Sequence, residues 1–107
     1  MTWTVEFLND AVEAELESLP IDIRARFTHI VQLVQTFGLQ HVHKPYIEHL
    51  QDKLWEMRMQ GRDGIARAVY VTAAGKRVVV VRVFVKKTQK TPRSEIELAL
   101  KRAKGVK

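Results

Sequence analysis

Residues 78–85 read VVVVRVFV, a β-branched run with one cation, Arg82, set inside it. A run that apolar and that branched reads as a central strand of a sheet. It empties into Lys86, Lys87 and Lys90 before Pro92 opens a new element. A cation inside a strand and more at its end are costly to bury without a partner anion. The economical reading is a strand that carries a cationic surface for a negatively charged partner, with RNA as the expected one.

The charge distribution points the same way. The chain has 107 residues and a net charge of +6. Residues 1–50 hold three Lys/Arg against seven Asp/Glu, whereas residues 51–107 hold fifteen against five. One basic half suggests a polyanion met by one side of the molecule; a solvated basic surface without a ligand is the plain alternative. The length suits one domain, residues 1–107, with a single core between a sheet and a few helices. Without cysteine there is no disulfide or thiolate chemistry, and the chain suits a reducing cytosol. The N-terminus lacks a signal-peptide pattern and no apolar run nears the roughly 18 residues of a membrane span, so a cytoplasmic protein with no membrane partner is expected.

Along the chain, residues 2–8 alternate and predict a first strand. Asn9 or Asp10 caps a helix over residues 11–19, which Pro20 ends. A longer helix follows, with Asp22 as its cap, Ile23, Phe27, Ile30, Val31, Val34 and Phe37 at helical spacing, and Gly38 just past its end. Residues 39–53 read as irregular, broken by Pro45 and carrying His41, His43 and His49. No carboxylate or cysteine stands there at a ligand-like spacing, so exposed loop histidines are expected and no metal or other cofactor. Residues 54–59 and 65–72 read as further strands around a turn at 60–64, and 73–76 turn into the valine-rich strand. Thr91 is the expected cap and Pro92 the first residue of a last helix, from Arg93 to about Lys104, whose outer face is basic. The predicted class is α+β: a small antiparallel sheet of about four strands in the order β-α-α-β-β-β-α, with the two N-terminal helices on one face.

Strand alternation then groups the cations. Arg58 lies opposite Trp55, Met57 and Met59, while Arg82 shares a face with Val80, Phe84 and Lys86. With the helices on one face, Arg58, Arg67, Arg82 and Lys86 are expected to converge on the other. Guanidinium forks match phosphate oxygens, and Phe84 beside them is placed to stack a base. The structural alternative pairs each arginine with a carboxylate; Glu56 serves one, and Asp63, Glu95 and Glu97 stand in turns or on a helix.

The element order, the segment KLWEMR (53–58) and above all FVKKTQKTP (84–92) resemble the phage-derived RelE/HigB-like toxins over nearly the whole chain. The resemblance implies a ribosome-dependent mRNA endonuclease, the toxin of a type II toxin–antitoxin pair, with mRNA on the ribosome and a helix-turn-helix antitoxin as partners. Where relatives often show His-Gly-Phe, this chain has Arg82-Val83-Phe84, which replaces an acid/base histidine with a permanent cation. The implied chemistry uses no metal and no small-molecule cofactor: the 2′-hydroxyl attacks the adjacent phosphorus and leaves a 2′,3′-cyclic phosphate. Arg67 and Arg82 are the expected stabilisers of transition-state charge, with Arg58 supporting. Lys86, its pKa depressed by neighbouring cations, is the expected base, with a histidine of the 41–49 loop as its rival. Lys53, Arg58, Phe84, Lys87 and Lys90 are the expected RNA contacts. The competing readings are a ParE-like toxin directed at gyrase and a non-catalytic nucleic-acid-binding module.

Overall fold

A computed structural model describes residues 2–87 and 90–106. Thr88 and Gln89, inside the segment that carries the resemblance, lie outside the described residues. The elements run β1 (Thr4–Phe7), α1 (Asp10–Glu17), α2 (Ile21–Phe37), a 3-10 turn (Leu39–His41), β2 (Ile47–Gln51), β3 (Leu54–Gln60), β4 (Ile65–Ala73), β5 (Arg77–Lys86) and α3 (Arg93–Ala103). The α+β class is as expected, with two differences in the sheet. It has five strands, in the order β1-β5-β4-β3-β2, and it is mixed, because β1 runs parallel to β5. The extra strand is β2, taken from the stretch expected to be irregular; Asp52, at φ +51°, makes the tight turn that folds it back onto β3.

The valine-rich run is apolar throughout because both of its faces are covered. Val78, Val80 and Val83 join Met57, Met59, Ala68 and Tyr70 beneath Val12 of α1 and Ile23, Phe27, Ile30 and Val34 of α2. Val79, Val81 and Phe84 face the other way, with Leu54, Val69 and Val71, against Ala99 and Ala103 of α3. Alanine at both α3 positions allows that helix to approach the sheet closely. The molecule is therefore layered as two helices, a sheet and one further helix. The second face was expected to stay open as a cationic floor; α3 covers much of it.

A bulge sets how the faces divide. Val69 pairs with Arg82 but Tyr70 pairs with Val80, so Val81 is the extra residue. Val80 and Arg82 consequently fall on opposite faces, a correction to the strict alternation expected of the strand. Two helix caps also differ from expectation. Pro20 and Pro92 occupy the cap positions of α2 and α3 without side-chain cap bonds. Thr91 instead donates to Glu56 Oε2 at 2.9 Å. Asn9 does cap α1, accepting the Val12 N–H at 3.1 Å, and Gly38 closes α2 at φ +89°.

Candidate nucleic-acid interface

Arg58 and Arg67 are cross-strand partners on β3 and β4, and Arg67 in turn lies beside Phe84 of β5. Lys86 sits at the same end of the sheet, opposite Ile65. Its ammonium is held below the ordinary lysine value of 10.5, first by burial, then by the positive charges of Arg67 and Arg58, against the opposing pull of Glu56 and Glu48. The structure thus brings together three of the four expected cations, Arg58, Arg67 and Lys86.

Two of the three meet carboxylates. Arg67 is only 3% exposed, and its Nε lies 3.4 Å from Glu56 Oε1, close enough for an ion pair but too poorly aligned for a hydrogen bond. Its Nη1 donates to the Ala66 carbonyl. Burial pushes the Arg67 pKa down and Glu56 pushes it back up. Arg58 donates from Nη1 to Glu48 Oε2 at 2.7 Å, each side chain 36% exposed. Among the described residues no carboxylate lies within ion-pair distance of Lys86. Glu48 stands on β2, the strand sequence reasoning did not foresee; the Gln51-Asp52-Lys53 turn was the signal available for it.

Arg82 belongs to a different cluster. Its Nε and Nη2 donate to Glu95 of α3 at 2.6 and 3.1 Å, and its Nη1 donates to Glu15 of α1 at 2.7 Å. These carboxylates hold its pKa up, Glu95 most strongly. The structural alternative therefore describes Arg82, and the carboxylate on α1 was not among the partners weighed from sequence. Phe84, at 6% exposure, is a core residue against α3 and presents no ring for stacking; this corrects the expectation for it. Lys53 lies in the β2–β3 turn, about 20 Å from the Lys86 end by strand rise. Lys87 and Lys90 are exposed near that end. His49 turns its ring onto Trp55 and bonds the Asp52 carbonyl through Nε2. No group of three His, Asp or Glu among the described residues is placed to hold a metal ion.

Beside Arg58 and Arg67 opens a cleft of about 650 Å³, bounded by β3, the β3–β4 turn and α2. It forms where β2 ends: the last backbone rung runs from the Arg58 N–H to the Tyr46 carbonyl, and β3 continues beyond it. The turn is fastened to α2 by Asp22, whose Oδ2 accepts the Arg62 N–H at 2.6 Å while its Oδ1 accepts that of Ile23. The Arg62 bond holds the Asp22 pKa below the ordinary carboxylate value.

Residues 14–104 match the family model described as Phage derived protein Gp49-like (DUF891). The chain belongs to the Gp49-like family. No curated protein matches it. Among solved structures, the Gp49-like chain is similar to the E. coli toxin RelE, an arginine double mutant in the free state. The TM-score is 0.63 at 19% identity, over 95% of this chain and 98% of that one. It is also similar to the archaeal RelE–RelB complex from Pyrococcus horikoshii OT3, with a TM-score of 0.57 at 19% identity, over 79% and 96%. The fold of the Gp49-like chain is RelE-like. None of its described helices is long and apolar enough to cross a membrane.

Electrostatically the cluster is less cationic than its arginines suggest, because Glu48 and Glu56 offset Arg58 and Arg67. The two pairs differ in kind. The Arg58–Glu48 pair is half-exposed and so worth little, and an arriving phosphate can exchange with Glu48. The Arg67–Glu56 pair is buried and fixed, and through Thr91 it also ties the segment after β5 to the sheet.

Proposed function

We propose that the Gp49-like chain is the toxin of a type II toxin–antitoxin pair and that it cleaves mRNA on the ribosome, in the cytoplasm. The observation that carries this reading is Lys86, a lysine with a lowered pKa and, among the described residues, no ion-paired carboxylate, set beside Arg58 and Arg67 on a RelE-like sheet. Lys86 in its neutral form takes the proton of the RNA 2′-hydroxyl. The 2′-oxygen then bonds to the adjacent phosphorus, the bond from phosphorus to the 5′-oxygen breaks, and the departing oxygen takes a proton from water. A 2′,3′-cyclic phosphate and a 5′-hydroxyl result, and no metal is needed. Arg58, leaving Glu48, binds the nonbridging oxygens as they gain charge, and Arg67 supports it from beneath; such fixed cations are worth a few kcal/mol each. Lys87 and Lys90 contact the RNA backbone. Arg82, committed to Glu15 and Glu95, holds β5 in place. A helix-turn-helix antitoxin is the proposed protein partner, in keeping with the RelE–RelB pairing of the structural neighbour.

The experiment is induced expression without antitoxin, with growth followed and cellular mRNA 5′ ends mapped. Growth arrest with new ends inside translated frames is the expected result. Arrest with intact mRNA and DNA-damage signalling would favour a gyrase-directed toxin, and unimpaired growth a binding module. Purified protein should cut naked RNA poorly; efficient cleavage would remove the ribosome from the proposal.

A further inference from the structure

The cleft beside Arg58 and Arg67 is lined by two more arginines, Arg26 from α2 and Arg62 from the β3–β4 turn. Both are exposed, and neither guanidinium has a hydrogen bond or ion pair with a described residue. Asp22, the acidic group of the lining, accepts from the backbone N–H groups of Ile23 and Arg62, and its negative charge also attracts the positive charge of the Arg62 side chain. The carboxylates that offset charge at the catalytic end, Glu48 and Glu56, do not line this cleft. Arg26 and Arg62 against Asp22 leave the cleft net positive, so an anion is favoured there as it is at the neighbouring cluster.

The walls are fixed in place. A methyl group on Gly61 would come 2.5 Å from Ile23 Cγ1 and 2.7 Å from Asp22 Oδ2, so turn and helix are already in contact. Arg26 lies one helical turn after Asp22, facing the same opening as Arg62. Tyr46 adds an aromatic wall on the β2 side. The volume is that of a site for one small ligand or nucleotide, and the cleft is continuous with Arg58 and Arg67.

We propose that this cleft is a second phosphate subsite, in which Arg26 and Arg62 hold the backbone of a nucleotide flanking the one cleaved. The proposal rests on the RNA-directed reading above and adds the path of the strand, from Lys86 past Arg58 toward α2. Neither arginine touches the reacting phosphate; both position the strand.

The test is binding of a short, labelled single-stranded RNA, 2′-O-methylated throughout so that it cannot be cut, measured over a range of salt. For a single strand, each phosphate that the protein no longer neutralises lowers the slope of log affinity against log salt by about 0.7. The R26Q/R62Q double variant should therefore show a slope shallower by about 1.4, with thermal stability unchanged. An R26K/R62K variant, which keeps the charges, should keep the parental slope. An unchanged slope in R26Q/R62Q, an equal loss in R26K/R62K, or no binding by the parent chain at low salt overturns the inference. Mapped mRNA ends from the parent chain judge the nuclease reading separately. Intact mRNA with a reduced slope leaves the subsite standing without the nuclease; cleaved mRNA with an unmoved slope does the reverse.

Discussion

Glu15 on α1 accepts the N–H of Val83 on β5 at 3.0 Å, so a side chain takes over the sheet edge where a strand stops. The last rung of β1 on β5 is the bond from the Leu8 N–H to the Val80 carbonyl. Beyond it, the backbone groups of Val81 and Val83, whose side chains are buried, have no neighbouring strand on that edge. Arg102 of α3 donates to the Val81 carbonyl at 2.9 Å and to Glu15 at 3.1 Å, and Arg82 donates to the other Glu15 oxygen. One carboxylate thus joins α1, β5 and α3. An open edge is a template for unwanted pairing, and this cluster covers it.

Removing that carboxylate should be costly. Glu15→Ala leaves two arginines and a backbone N–H short of an acceptor, and a loss of about 3 kcal/mol is expected in urea denaturation. Glu15→Gln, which retains an acceptor for Val83, should lose about half of that. A loss below about 1 kcal/mol for the alanine variant would show that solvent satisfies the edge as well.

The Arg67–Glu56 pair lets stability be separated from activity. Arg67→Met strands a buried carboxylate and Glu56→Met strands a buried guanidinium; each should cost about 3–5 kcal/mol. The double replacement by methionine should recover most of that loss, since an apolar pair needs no compensation there. Cleavage of mRNA should stay absent in all three. Recovery of cleavage along with stability in the double variant would remove Arg67 from the proposed chemistry.

Lys86 makes a prediction in pH. Its folded pKa lies below 10.5, so the unfolded chain binds this proton more tightly than the folded one. Below the folded value the ammonium carries a penalty in the native state, and stability gained by its deprotonation accrues as pH rises from that value toward 10.5. Lys86→Met should therefore be slightly more stable than the parent near pH 7, by about 0.5 kcal/mol or less. That advantage should narrow near pH 10. Denaturation midpoints at the two pH values measure it, and an advantage that grows with pH would contradict the shift.

Gly61 is required for space. Gly61→Ala drives its methyl into Ile23 and the Asp22 carboxylate, and an overpacking cost of about 1–3 kcal/mol is expected in thermal denaturation. The same change should loosen the cleft and weaken RNA binding, whereas alanine at Gly75, where a Cβ meets nothing within 4 Å, should leave RNA binding untouched despite strain at φ +82°.

Much of the layout is legible in the sequence because it is written in local periodicity. The valines of 78–85, the helical spacing from Ile23 to Phe37 and the alternation of LWEMRM each declare an element from within a few residues. The strand β2 was obscured by Pro45 and by polar residues on an edge that buries little beyond Ile47. Arg58, Arg67 and Lys86 could be grouped by counting along strands. Counting also put Arg82 on the face of Phe84 and Lys86, but it could not show that Glu15 and Glu95 engage Arg82 and keep it out of the cluster. Arg26 and Arg62 were missed because they are exposed residues on a helix and a turn, and nothing local distinguishes them.

The sequence by itself determined the helices and every strand but β2, and that its second half is cationic, since both follow from side chains within one element. The tertiary structure decided which cations are offset and which are open. Glu15 lies 67 residues from Arg82 and 87 from Arg102, and Glu48 reaches Arg58 only through a strand pairing. An ion pair depends on distances of a few ångströms, and only the packing of α1 and α3 on the sheet sets those distances.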